Sequence, residues 1–186
     1  MLAAAGLRTF LAGRAADRVP SVVVFAIDHL PETVAPVAAD TVLFRRYLDH
    51  GGKVVWPGIP PMLWPRDPRT GEFADYSGID RAAPPRLLGV DHARGNFDGF
   101  GAMVTPEGTR WGLTGWWEAN WSVDPKGVTE ALAVDDNGIA SSWVKNYGGP
   151  PGTGFVRIYG AGWNGGSPNV NFAMVQAVAE YLPVRR

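Results

Sequence analysis

The side chains able to do chemistry in this sequence are few and widely spaced. There are three histidines, His29, His50 and His92, and no cysteine. A chain without cysteine has no disulfide, no thiolate metal site and no thiol nucleophile. His29 follows Asp28 at the end of the apolar run SVVVFAID, the end of a strand where open α/β sheets bind ligands. The plainer alternative is that Asp28 caps the next turn. His50 is expected in the last turn of a helix, where a cation suits the helix dipole. His92 lies in GVDHARGNFDG beside Asp91, Asn96 and Asp98. Those groups are metal-ligand types, but their spacing matches neither a calcium loop nor a zinc helix. A polar loop without metal is the expectation. Glu118 with Asp28 or Asp91 opposite would supply the two carboxylates of a glycosidase. The catalytic candidates are therefore Asp28, His29, His92 and Glu118.

Tryptophan is the other distinctive residue. WGLTGWWEANW (111–121) holds four of the eight in the chain. Indoles are broad, rigid and amphipathic, so they stack well on sugar faces and partner surfaces. They also seal loops over small cores. Adjacent Trp116 and Trp117 must point in different directions in extended chain, which makes one of them the best candidate for an exposed face. The binding candidates are Trp64, Trp116, Trp117, Trp121, Trp163 and Asn164. No G-x-S-x-G or Walker motif is present. The string GAGWNGG (160–166) reads as a tight turn rather than a phosphate cradle, and no cofactor is expected.

With 186 residues, 46% hydrophobic and 19% charged, the chain suits one globular domain spanning 1–186. A net charge of −1 without a basic run argues against nucleic acid. No apolar run approaches a membrane span, so no membrane partner is expected. The N-terminus, MLAAAGLRTFLAGRAADR, reads as a helix and not a signal peptide, which favours a cytoplasmic setting.

The pattern predicts a helix over 2–16 with Leu2, Leu7, Phe10 and Leu11 near one face. A strand buried on both faces follows over 21–28. Asp40 is the expected N-cap of a helix carrying Leu43, Phe44, Tyr47 and Leu48, which Gly51-Gly52 stops. Strand 53–56 then completes a right-handed βαβ unit. Residues 57–127 read as a loop-rich insertion, anchored by Pro61–Trp64 and Leu87–Val90. A hairpin follows, 128–134 and 139–148, turning at Asn137-Gly138. After strand 154–160, Ser167-Pro168 opens a last helix with Val175, Val178 and Leu182 on one face and Pro183 closing it.

The run YLDHGGKVVWPG is similar to the helix–strand pair of class I glutamine amidotransferase-like domains. The closing ASSWVKNYGGPPGTGFVRIYGAGWNGGSPNVNFAMVQAVAEYL resembles the ThuA-like (trehalose-utilisation) branch of that superfamily. The resemblance covers roughly residues 20–60 and 128–183. It implies a flavodoxin-like three-layer sandwich with a mostly parallel sheet and a C-terminal β-hairpin. Glutaminases of the superfamily carry a cysteine on the turn after a strand. Here that turn is WPGIPP, with Pro57 and Gly58 where the nucleophile would stand, so glutamine hydrolysis is not expected. The first strand of such a sheet is missing, which suggests a truncated module or an edge completed by a second copy. Related domains serve as oligomerisation modules in β-galactosidases. The expected function is a non-catalytic module that binds carbohydrate or self-associates. The alternative is a hydrolase acting on sugars through Asp28, His29, His92 or Glu118 at the carboxyl edge of the sheet.

Overall fold

The computed structural model describes residues 2–25, 30–31, 33–35, 42–58, 82–92, 101–119, 121–158 and 172–183, with 116–118 given by backbone alone. Helix α1 (Ala4–Asp17) buries Leu7, Leu11 and Ala15, a row four residues apart on one face. Leu2, expected on that face, precedes the helix and is exposed. Helix α2 (Leu43–Asp49) buries Phe44, Tyr47 and Leu48 as its spacing predicts. Its cap position is Val42, which offers no side-chain cap. The expected cap, Asp40, lies outside the described residues. Gly51, at φ +87, ends the helix in the left-handed region where glycine is unstrained. The His50 ring meets the Ala15 carbonyl through Nδ1, tying α2 to α1.

Strand β1 (Val22–Val24) pairs parallel with β2 (Lys53–Trp56). The expected burial of β1 on both faces is not met. Val22 and Val24 are 41% and 43% exposed, because β1 is an edge strand and has one strand neighbour instead of two. Its partner β2 is interior and buried at all four positions.

The remaining strands are β3 (Gly101–Val104), β4 (Trp116–Glu118), β5 (Glu130–Asp135), β6 (Ala140–Lys145) and β7 (Gly154–Arg157). Together they form one sheet in the order β1-β2-β7-β6-β5-β3-β4. Among the described strands, only the pairings of β1 with β2 and β2 with β7 are parallel. All others are antiparallel, so the fold is α/β with a mixed sheet and not a mostly parallel one. The short hairpin connections of the C-terminal half force this, since parallel neighbours need a long crossover. The β5–β6 hairpin forms as predicted. Gly138 takes φ +73, and the Asp135 carboxylate accepts the Asn137 and Ile139 N–H groups at 2.8 and 2.9 Å.

The loop-rich reading of 57–127 needs correction, because this stretch contributes α3 (Ala83–Leu88), β3, α4 (Pro106–Arg110) and β4. Strands of three and four residues are too short to show a period between glycines and prolines. Leu87, Leu88 and Val90 are buried as expected, whereas Pro61–Trp64 lies outside the described residues. Gly108 lets α4 press onto β5, since a Cβ there would overlap the Leu132 carbonyl.

Apolar side chains are buried in two clusters. One joins Leu7 and Leu11 of α1, Phe44, Tyr47 and Leu48 of α2, and Leu87 and Leu88 of α3 to Val54, Trp56, Trp143 and Phe155 of the sheet. The other joins Val55, Val144, Val156 and Leu132 to Trp111, Leu113 and Val178. The last residue belongs to α5 (Phe172–Glu180), which packs on β1 and β2. Val175 is half-buried beside it, but Leu182 is 77% exposed because the helix has already ended at Glu180. Ser167-Pro168 lies outside the described residues. Among those residues, no helix is long and apolar enough to cross a membrane.

Candidate functional site

Side chains alternate along β7. Phe155 enters the aromatic cluster and Val156 the opposite one, which returns Arg157 to the Phe155 face. In register, Arg157 stands between Trp56 of β2 and Trp143 of β6. Its side chain is completely buried, at 0% exposure. A buried guanidinium must replace its lost hydration with fixed acceptors. Nε donates to the Gly58 carbonyl at 3.2 Å, and one terminal nitrogen donates to the carbonyls of Ser141 and Trp121 at 2.9 and 3.2 Å. Three segments therefore meet on this cation at the carboxyl ends of β2 and β7: the turn after β2, the start of β6 and the chain beyond β4.

Trp121 has φ +48, a left-handed conformation that costs a bulky residue about 1–2 kcal/mol. Its carbonyl accepts two hydrogen bonds, one from Arg157 and one from the His92 ring at 3.0 Å. The His92 ring also meets the indole edge-on, with centroids 5.5 Å apart at 74°. A carbonyl only accepts, so Nδ1 of His92 carries the proton in this hydrogen bond. Val123 completes the seam. It exchanges backbone hydrogen bonds with Ala140 at 2.8 and 2.9 Å and forms a bridge to His92.

Helix α3 positions His92. Its last carbonyls are held by side chains from elsewhere, Arg45 on Leu87 at 3.3 Å and Tyr147 on Leu88 at 2.9 Å. Lys145 holds the following carbonyl, that of Gly89, at 2.7 Å. Desolvation keeps the Lys145 ammonium below its ordinary pKa, and burial pushes the Tyr147 phenol above its own. Arg45 lies over the Tyr147 ring, 4.4 Å from its centroid, so cation and aromatic ring support the same corner.

Polar groups around Arg157 have unmet bonding capacity. The hydroxyls of Ser122 and Ser141 and the indole N–H of Trp143 are buried and have no hydrogen-bond partner among the described residues. Ser141 is the residue passed over where the β5–β6 register shifts between Ala133 and Val134. Bulges of this kind often re-aim groups beside functional sites.

Of the residues singled out from the sequence, His92 and Trp121 come together here. The expectation that Trp121 offers a stacking face is overturned, because its indole is 1% exposed and forms part of the site's wall. Trp111 is likewise buried, stacked on Tyr181 with ring centroids 4.2 Å apart. Trp116, Trp117 and Glu118 lie on β4, at the sheet edge opposite β1. Asp28, His29, Trp64, Asn96, Asp98, Trp163 and Asn164 lie outside the described residues, as does 160–166. Among the described residues, no three His, Asp or Glu side chains cluster as a metal site would require. Sequence reasoning missed Arg157 and Ser122, read Gly58 only as the place of an absent nucleophile, and placed Ser141 on the hairpin strand without a role. The available signal was Arg157 itself, a lone cation in the otherwise apolar strand GFVRIYG.

A family model, the MJECL34 family, matches residues 1–169. The chain belongs to the MJECL34 family. The matched span covers the seven strands of the described residues and every residue assigned to the Arg157 site. Neither a curated protein nor a solved structure matches the chain.

Proposed function

We propose that this MJECL34-family chain is a non-catalytic, glutamine amidotransferase-like module that binds a small polar ligand, carbohydrate-related in class, at the carboxyl edge of its sheet. The observation that carries the reading is the Arg157 cluster. A fully buried cation, two buried hydroxyls and an indole N–H gather at the ends of parallel strands β2 and β7. Ligands of open α/β sheets bind at that edge. The missing nucleophile fits a binding role. The turn after β2 presents Pro57 and Gly58, and Gly58 uses its carbonyl to accept from Arg157. A flavodoxin-like, three-layer arrangement belongs to the same proposal. It is supported by two buried clusters, with α1, α2 and α3 contributing to one and α5 to the other.

Stacking on Trp121 is not part of the proposal, since that indole is buried. The hydrolase remains the alternative reading; Glu118 lies on β4, at the sheet edge opposite β1, and Asp28 lies outside the described residues. Self-association is the second property proposed for the module, and the exposed valines of edge strand β1 support it. The test is a thermal-shift screen of neutral mono- and oligosaccharides alongside sedimentation across a concentration series. A sugar that raises Tm in proportion to its occupancy supports binding. Flat Tm values with every sugar, together with a monomer at all concentrations, would remove both properties.

A further inference from the structure

Strand β1 pairs on one side only, and its hydrogen bonds show which backbone groups face outward. The Lys53 N–H donates to the Ser21 carbonyl at 3.1 Å, and the Phe25 N–H donates to the Val55 carbonyl at 3.0 Å. Direction alternates along a strand, so Ser21, Val23 and Phe25 turn toward β2 while Val22 and Val24 turn away. Among the described residues, nothing pairs with the outward N–H and C=O groups of these two valines. Their side chains are open as well. Val22 and Val24 lie in register with Lys53 and Val55, on the face that α5 packs against. They nevertheless remain 41% and 43% exposed. Edge strands are commonly blunted by charge, and the run VPSVVVFAI (19–27) carries none. Pro20 has no N–H, so it closes the outward ladder just before Val22 without interrupting it.

We infer that β1 of a second copy of this chain adds antiparallel to β1 across a two-fold axis at Val23, joining two sheets into one. This rests on the self-association reading and names its surface and register. A two-fold contact is isologous, so each residue meets the partner strand in reverse order. With the axis at Val23, Val22 of one protomer faces the partner's Val24, and Val24 faces the partner's Val22. Each such pair exchanges both of its N–H···O=C bonds, which satisfies the outward groups of both valines on both copies. An axis at Val22 would instead set Val24 against Pro20, which cannot donate. Charge favours a second copy as the occupant. Self-pairing sets a strand's own charges against one another, and an uncharged run of β-branched residues meets itself without that penalty.

The test follows the intact chain by sedimentation over a concentration series, with amide exchange at Val22 and Val24 as a second readout. The parent should pass from monomer to dimer and no further, and both amides should exchange more slowly as dimer accumulates. Val22→Lys with Val24→Lys sets like charges opposite one another at both pairs and should weaken the dimer roughly tenfold or more. Val22→Glu with Val24→Lys sets opposite charges at both pairs and should recover most of that loss. Both positions are exposed, so these variants should fold as the parent does by circular dichroism. Should one fail to fold, amide exchange in the parent decides alone. A parent that stays monomeric at every concentration removes self-association and this inference together. A dimer that the two-lysine variant retains, or whose Val22 and Val24 amides gain no protection, overturns the inference and leaves self-association standing. A Glu–Lys variant as weak as the two-lysine one overturns the register. Growth beyond the dimer overturns the two-fold axis.

Discussion

Arg157 shows how one residue can hold three distant parts of a chain together. Its acceptors Gly58, Trp121 and Ser141 are 99, 36 and 16 positions away in sequence. Replacing it with methionine keeps much of the volume but takes this donor from the buried carbonyls of Gly58 and Ser141, while the Trp121 carbonyl keeps the His92 ring. Each buried group left unmet costs about 1–3 kcal/mol, and partial relaxation recovers some of it. Arg157→Met should thus lower unfolding free energy by about 3–5 kcal/mol in urea titrations, and a loss below about 1 kcal/mol would show that the guanidinium is not the organiser. Trp121 poses a different balance. Emptying its buried volume costs about 3–5 kcal/mol, more than the 1–2 kcal/mol held in its left-handed backbone. Both Trp121→Ala and Trp121→Gly should therefore destabilise. The glycine variant escapes the backbone strain, and although it adds unfolded-state entropy it should be the more stable of the two by about 0.5–1 kcal/mol. An alanine variant equal or superior to it would show that the φ of +48 carries no strain. Neither role was visible in the sequence. Periodicity reports which face a residue occupies, whereas this site is assembled from contacts across tens of positions. His92 and Trp121 drew attention by residue type, and their shared carbonyl did not.

At the scale of elements, the strongest local signals were the ones realised. Asn137-Gly138 forces a hairpin whatever surrounds it, and Gly51 ends α2 by the same backbone freedom. β3 and β4 had no such signal. They gain their stability from pairing with β5 and with each other, which no three- or four-residue window can show. Helix α5 depends on tertiary support at its end. Lys53, buried at the start of β2, donates to the carbonyls of Ala179 and Tyr181, both at 3.1 Å, and sits 4.8 Å from the Trp111 ring centroid. Cations suit helix C-termini, but burial lowers this ammonium from an ordinary pKa of 10.5 to about 8. The linkage runs opposite to that of a lysine with a raised pKa. Between pH 8 and 10.5 the unfolded chain holds a proton that the folded chain has released, so stability rises with pH across that window. Below pH 8 both states are charged, and above 10.5 both are neutral. In the difference between the parent and Lys53→Met, stability should climb in the parent's favour from pH 8 to 10.5. A flat difference would mean that docking α5 does not desolvate the ammonium.

The molecule as a whole is joined by the last strand to be made. β7 is the final strand in sequence, yet it lies near the middle of the sheet, parallel to β2 on one side and antiparallel to β6 on the other. Without it the β1–β2 pair and the β6-β5-β3-β4 group would share no strand contact. A two-stranded parallel piece is below the size that is stable alone. Phe155 sits at the centre of this junction, touching the rings of Phe44, Trp56 and Trp143 with centroids 6.2, 6.0 and 5.3 Å away. Phe155→Ala should cost about 3–5 kcal/mol, as large-to-small changes in cores do. The more telling prediction concerns where that loss is felt. If β7 makes the sheet one cooperative unit, amide exchange should speed up by the same factor at Val54 in β2 and at Val144 in β6. Confinement of the change to one side would mean that the halves unfold separately. The Arg157 site, which draws on both, would then have to be understood as a contact between two independently stable parts.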